Sequence, residues 1–104
     1  MQIPKPQDGI FTVYSKTGCN YCIKVKQLLE EKNQTFTIIN CDNFILENKE
    51  EFLLFMQQLI GKEYRMFPMV FDNNVFIGGY NETLKHLELK NFDKSKSLDF
   101  DSDF

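Results

Sequence analysis

Apolar side chains fall along the chain in two rhythms, and the switches between them mark the elements. Ile10-Phe11-Thr12-Val13-Tyr14 is a run of β-branched and aromatic residues that ends at Ser15-Lys16-Thr17-Gly18. It predicts a buried strand meeting a turn. From Cys19 to Lys32 the spacing lengthens: Cys22, Val25, Leu28 and Leu29 recur on one side, with Lys24, Lys26, Gln27, Glu30 and Glu31 on the other. That is the pattern of an amphipathic helix. Lys32-Asn33-Gln34 ends it, and Thr35-Phe36-Thr37-Ile38-Ile39 predicts a second strand. Strand, helix and strand make a β-α-β unit, with parallel strands and a right-handed crossover.

The second half continues differently. Phe52, Phe55, Met56, Leu59 and Ile60 follow i, i+3, i+4, i+7, i+8 and predict a helix over roughly Glu47 to Ile60, with Gly61 as its C-cap. A charged loop, Lys62-Glu63-Tyr64-Arg65, follows. Met69-Val70-Phe71 and Val75-Phe76-Ile77 flank Asp72-Asn73-Asn74, a hairpin signal. Gly78-Gly79 ends the hairpin, and Asn81 to Leu89 predicts a short closing helix with Leu84 and Leu87 inward. The order βαβ then αββα predicts an α/β fold in three layers, a sheet with helices on both faces.

A chain of 104 residues, 42% apolar, suits one domain. Residues 9–90 form it in this reading. Residues 1–8 are a polar lead-in, and 91–104 an acidic, flexible tail whose aromatic end could also serve as a docking segment. The net charge of −3 argues against nucleic acid and an anionic membrane as main partners, since both call for a basic surface. Three cysteines are too few for a disulfide scaffold. The start of the chain, with Pro4 and Pro6 and no apolar segment, is not a secretory signal, and no stretch approaches a membrane span. The expectation is a monomer in a reducing cytoplasm. The lack of Ala and Trp beside abundant Lys, Asn, Ile and Phe fits an AT-rich genome, such as that of a large DNA virus, in which case the cytoplasm is the host's.

The chemistry concentrates at Cys19-Asn20-Tyr21-Cys22, between the first strand and the first helix. A thiol attacks as thiolate, and its ordinary pKa of about 8.5 leaves little of that form at neutral pH. The unpaired N–H groups at a helix N-terminus favour the anion, and Lys16 can add a full charge. Cys19 stands at the helix start, placed to attack; Cys22 lies one turn in, placed to resolve. Half a zinc site is the alternative. It lacks a second pair of ligands, since only Cys41 and His86 remain, so no metal site is expected. Cys41 reads as a partly buried thiol, and His86 as a surface or hydrogen-bonded residue.

The stretch Phe11 to Cys22 resembles the opening strand and active-site turn of the dithiol glutaredoxins, members of the thioredoxin-like superfamily. The resemblance continues through Met56-Gln57-Gln58-Leu59-Ile60-Gly61, Phe67-Pro68 and Phe76-Ile77-Gly78-Gly79-Tyr80, covering about residues 9 to 90. It implies a thioredoxin-like (glutaredoxin) fold, a four-stranded mixed sheet flanked by about three helices. It also implies a glutathione-dependent thiol–disulfide oxidoreductase, without a bound cofactor and with glutathione as co-substrate. Its substrates would be disulfide-bearing or glutathionylated proteins, ribonucleotide reductase being one family example. Position by position, Cys19 matches the nucleophile and Cys22 the resolving cysteine. Pro68 matches a proline in cis, which turns the Phe67 backbone toward an extended glutathione. Lys16 matches the cation near the glycine carboxylate, and Tyr21 shapes the groove. Tyr80 and Asn81 match the helix start that receives the γ-glutamyl carboxylate, and Gly79 allows close approach.

Departures from the pattern are Asn20 for the usual proline, Met66 for threonine, Phe67 for valine, Asn81 for an acid or serine, and about two extra residues between Gly61 and Pro68. Two other functions compete: a redoxin served by thioredoxin reductase, and a carrier of a glutathione-ligated iron–sulfur cluster, which the absence of proline between the cysteines brings into view.

Overall fold

The computed structural model describes residues 2–98. Its elements are β1 (Phe11–Ser15), α1 (Asn20–Glu31), β2 (Phe36–Asn40), α2 (Asp42–Ile60), β3 (Met69–Asp72), β4 (Val75–Gly78) and α3 (Tyr80–Leu98). The four strands form one mixed sheet in the order β2-β1-β3-β4. β2 runs parallel to β1, β3 antiparallel to β1, and β4 antiparallel to β3.

Strand β1 is buried along its whole length, and its period of two divides the core. Phe11 and Val13 pack with Val25, Leu28 and Leu29 of α1, Val70 of β3 and Leu87 of α3. Tyr14 turns the other way and joins Phe52 and Met56 of α2, Cys41, and Met69 and Phe71 of β3. The sheet is thus covered by α1 and α3 on one face and by α2 on the other, the three layers that the element order predicts.

Boundaries differ from the periodicity at three places. Helix α2 begins at Asp42 rather than near Glu47, and it is broken at Asn48, whose φ of −161° and ψ of 92° are extended. The Asn48 side-chain oxygen accepts the N–H of Glu51 at 3.1 Å, so Asn48 caps a second helical segment. That segment is the helix read from the Phe52–Ile60 stripe; the first carries only Phe44 and Ile45 toward the core, too few apolar positions to show a period. Helix α3 continues to Leu98 instead of ending at Leu89, because no Gly or Pro interrupts residues 90–98. The remainder of the expected tail, 99–104, lies outside the described residues.

The lead-in is tied down rather than merely solvated. The buried Tyr14 hydroxyl donates to the Pro4 carbonyl at 2.6 Å, and the Gln7 N–H donates to the fully buried Thr12 hydroxyl at 3.0 Å. Ile3 packs on the α2-side core. A polar atom inside β1 must find a partner, and this segment supplies it. Left-handed residues shape the turns, among them Gly61, which closes α2 at φ +92°, and Asn73, which turns the β3–β4 hairpin at φ +61°. Among the described residues no helix is long and apolar enough to cross a membrane.

Candidate active site

β1 ends at Ser15, and the turn Lys16–Gly18 feeds directly into α1, with Gly18 at φ +80°. Cys19 is the N-cap of α1 in extended conformation, and its sulfur accepts the N–H of Cys22 at 3.1 Å. The two cysteines form a disulfide, their Cα atoms 5.2 Å apart. Cys19 is half-buried and Cys22 buried, so one sulfur faces solvent and the other the core. No acidic residue lies in the first turn of α1, and nothing there opposes the positive end of the helix.

Asp42, at the start of α2, holds the active-site turn from across the sheet edge. Its carboxylate accepts the Thr17 N–H at 3.0 Å and also the Thr17 hydroxyl. Those two bonds, with smaller help from Asn40 and the charge of Lys16, hold the carboxyl below the usual aspartate range. Neither Thr17 nor Asp42 stood out in the sequence. The available signal was Asn40-Cys41-Asp42, in which the Asn40 side chain accepts the Asp42 N–H at 2.9 Å and starts the helix early.

Phe67 stands beside this turn. The Phe67–Pro68 peptide bond is cis, as the resemblance implies. The Phe67 ring lies parallel to Phe52 (6.1 Å, 11°), which lies parallel to Phe44 (6.2 Å, 11°). Lys16 Nζ sits 5.5 Å from the Phe67 ring centre, a cation–π distance. The bulk of Phe67, relative to valine, is absorbed by this stack.

Two clefts share Phe67 as a wall. The smaller, about 240 Å³, brings together six of the predicted residues: Tyr21, Phe67, Pro68, Gly79, Tyr80 and Asn81. Tyr21 and Tyr80 face one another at 5.9 Å between ring centres, and Lys24 Nζ lies 5.0 Å over Tyr21. Gly79 is the position before α3; its N–H donates to the Glu82 carboxylate at 2.9 Å. The first intrahelical bond runs from the Thr83 N–H to the Gly79 carbonyl, so the N–H groups of Tyr80, Asn81 and Glu82 have no intrahelical acceptor. Lys16 is the exception among the predicted glutathione contacts, lying across Phe67 in the larger cleft.

The demand for glycine falls on Gly78 more than on Gly79. Gly78 has φ +134°, and a Cβ there would meet the Glu82 side chain at 2.8 Å, whereas one on Gly79 would make ordinary contacts of 3.5–3.6 Å. Glu82 and Tyr64 also line the smaller cleft and were missed. Glu82 was legible from the Gly79-x-x-Glu82 spacing, the return half of a capping box. Tyr64 was hidden in a charged loop; burial, then the charge of Glu82, raises its hydroxyl pKa.

Cys41 and His86 take no part in this site. Cys41 is fully buried in the α2-side core, its thiol pushed up to about 12, mainly by burial. His86 Nε2 lies 2.7 Å from the Asp72 carboxylate. Among the described residues no group of three His, Cys, Asp or Glu could hold a metal ion.

A four-stranded mixed sheet between helices, with a Cys-x-x-Cys disulfide at the start of its first helix, defines the thioredoxin-like class. Within that class, the Glutaredoxin family model matches residues 11–77, from β1 through β4. Glutaredoxin 1 of Rickettsia felis is 39% identical over 67 residues, 64% of this chain and 61% of that protein. The chain thus spans about three-fifths of that relative. The crystal structure of glutaredoxin 1 from Francisella tularensis complexed with cacodylate superposes with a TM-score of 0.66 and 28% identity, over 80% of this chain and 95% of that one. The buckwheat glutaredoxin–glutathione complex gives a TM-score of 0.62 and 29% identity, over 80% and 73%. The chain belongs to the glutaredoxin family.

Proposed function

We propose that the chain is a glutathione-dependent thiol–disulfide oxidoreductase acting through Cys19 and Cys22. The carrying observation is the Cys19–Cys22 disulfide at the N-terminus of α1, with the Cys19 sulfur accepting the Cys22 N–H. A sulfur so placed is a good thiolate when reduced, and exchange rate follows thiolate fraction and leaving-group pKa. Family membership and the smaller cleft support glutathione as the reductant.

On a protein disulfide, Cys19 thiolate attacks one sulfur. A Cys19–protein disulfide forms, the old S–S bond breaks, and the departing thiolate takes a proton from solvent. Cys22 then loses its thiol proton to solvent and attacks the Cys19 sulfur, releasing the second protein thiol and leaving the pair oxidised by two electrons. Two glutathione molecules return those electrons. The first forms a mixed disulfide with Cys19 and frees Cys22; the second attacks the glutathione sulfur and leaves as glutathione disulfide. On a protein–glutathione mixed disulfide, Cys19 takes up the glutathione directly and the protein thiol leaves, so Cys22 is not required.

In this reading glutathione lies along Phe67, with its γ-glutamyl carboxylate at the Tyr80 and Asn81 N–H groups and its glycine carboxylate toward Lys16. Gly79, which lines the cleft, leaves room for the peptide, and Tyr21 closes the side. Such a cycle belongs in a reducing cytoplasm, where ribonucleotide reductase is one protein whose turnover generates a disulfide.

The test is a coupled assay with glutathione, glutathione reductase and NADPH on a small mixed disulfide and on a protein disulfide, with thioredoxin reductase as alternative donor. Cys19→Ser is expected to abolish both activities. Cys22→Ser is expected to retain deglutathionylation and lose protein-disulfide reduction. Turnover by Cys19→Ser, or reduction by thioredoxin reductase alone, overturns the proposal.

A further inference from the structure

The larger cleft, about 450 Å³, lies between the active-site turn, α2 and the loop before Pro68, on the far side of Phe67 from the smaller one. Its floor is apolar, made by Phe52, Leu53 and Phe67, and at its lip Leu46 is 83% exposed. A leucine held in water beside an apolar hollow is stabilised when a partner covers it, at about 25 cal/mol per Å² of apolar surface.

Three cations line the same cleft: Lys16, Lys49 and Arg65. Arg65 pairs with Glu63 at 3.1 Å, but both side chains are about two-thirds exposed, and a pair of that kind is weak and exchangeable. Lys49 makes no ion pair among the described residues. The one acid lining the cleft, Asp42, has both carboxylate oxygens engaged by Thr17. On a chain of net charge −3, this is a local positive rim over an apolar floor. Lys16 and Thr17 belong to the turn that leads into Cys19, so whatever fills the cleft lies against the active-site turn. The glycine end of glutathione, reaching Lys16, would leave Leu46 and Leu53 uncovered; a polypeptide would not.

Resting on the function proposed above, we infer that this cleft receives the protein substrate next to its reacting disulfide, and that it selects segments carrying an aromatic or aliphatic side chain flanked by acidic residues. The apolar side chain covers Leu46 and Leu53, and the carboxylates meet Lys49 and Arg65. The segment occupies the cleft while the substrate is joined to Cys19 and leaves before glutathione enters.

The test compares two cyclic disulfide peptides of equal length that differ only beside one cysteine, Asp-Phe-Asp in one and Lys-Phe-Lys in the other. Wild-type protein is expected to reduce the acidic peptide with a kcat/KM about tenfold higher at low ionic strength. Lys49→Glu is expected to bring that ratio to about one, and Leu46→Ser to slow both peptides about threefold, because a methyl-rich contact is lost from each. Lys32→Glu, the same change in net charge at the far end of α1, is expected to leave the ratio intact. All three variants should turn over a small mixed disulfide as wild type does. A wild-type ratio near one, or a ratio that survives Lys49→Glu, overturns the inference. If wild type does not turn over the small mixed disulfide with glutathione, the functional reading fails instead. The cleft is then decided by NMR titration with the acidic peptide carrying Ser for Cys: shifts at the Leu46, Lys49 and Leu53 amides sustain it, and their absence overturns it.

Discussion

Cys19 caps α1 with the same sulfur that attacks in the proposed cycle. A cap must accept a hydrogen bond from the first turn, and a nucleophile must be stable as an anion; the Cys22 N–H at 3.1 Å meets both needs. The neighbouring Asn20 is the first residue of α1, where a proline loses no intrahelical hydrogen bond and arrives with φ already set. Asn20→Pro is therefore expected to stabilise the oxidised protein by about 0.4–1 kcal/mol through the unfolded chain, read as a higher urea midpoint. A lower midpoint would show that the Asn20 amide carries a native contact. The pair Cys19–Cys22 was plain from its spacing and its place before a helical stripe. Thr17 and Asp42 were not, because they lie 25 residues apart and meet only once β1 and β2 are side by side.

At the scale of elements, the break in α2 and the N-terminal segment carry separable amounts of stability. Asn48 caps the second half of α2, so Asn48→Ala is expected to cost about 1 kcal/mol, seen as a lower thermal midpoint without loss of the sheet. The segment before β1 satisfies the Tyr14 hydroxyl through the Pro4 carbonyl. Removing residues 1–6 is expected to destabilise by about 1–3 kcal/mol, the cost of a buried polar group left without a partner. Tyr14→Phe in the shortened chain should recover part of that loss, since the orphaned donor is gone; no recovery would mean that Ile3 packing carries the effect. Composition alone made this segment a solvated lead-in. It could not show that a tyrosine buried in β1 would point an oxygen at it. By contrast α1 was legible almost to the residue, because Cys22, Val25, Leu28 and Leu29 all turn inward.

For the molecule as a whole, the α2-side core sets the alkaline limit of stability. Burial pushes the Cys41 thiol up to about 12, and burial likewise raises the Tyr14 hydroxyl. The unfolded chain loses these protons at the ordinary pKa values while the folded one keeps them, so the unfolded state binds fewer protons above about pH 9. Stability is expected to be fully present below pH 9 and to fall as pH rises toward 12, with a shallower slope in Cys41→Val; identical slopes would remove Cys41 as a cause. The acid limit has the opposite sign. Asp42 is held below its ordinary range by Thr17, so its contribution is present above pH 4 and is lost on further acidification. In the oxidised native protein Cys41 is the one free thiol and is buried. A thiol reagent should accordingly label it only after denaturant is added.

By itself the sequence determined the order of elements, the faces they bury, and a dithiol at the head of the first helix. Those are local properties, written in the periods of 2 and 3.6 and in the unpaired N–H groups of a helix start. Tertiary structure decided what surrounds the dithiol. The order β2-β1-β3-β4 carries the start of β3, and with it Phe67 and Pro68, alongside the end of β1. It also carries the end of β4, and so Tyr80, Asn81 and Glu82, to the far wall of the smaller cleft. The stack of Phe44, Phe52 and Phe67, the Asp42 anchor on Thr17 and the cationic rim of Lys49 and Arg65 join segments far apart in the chain. Their meeting depends on strand register and helix placement, which no local pattern encodes.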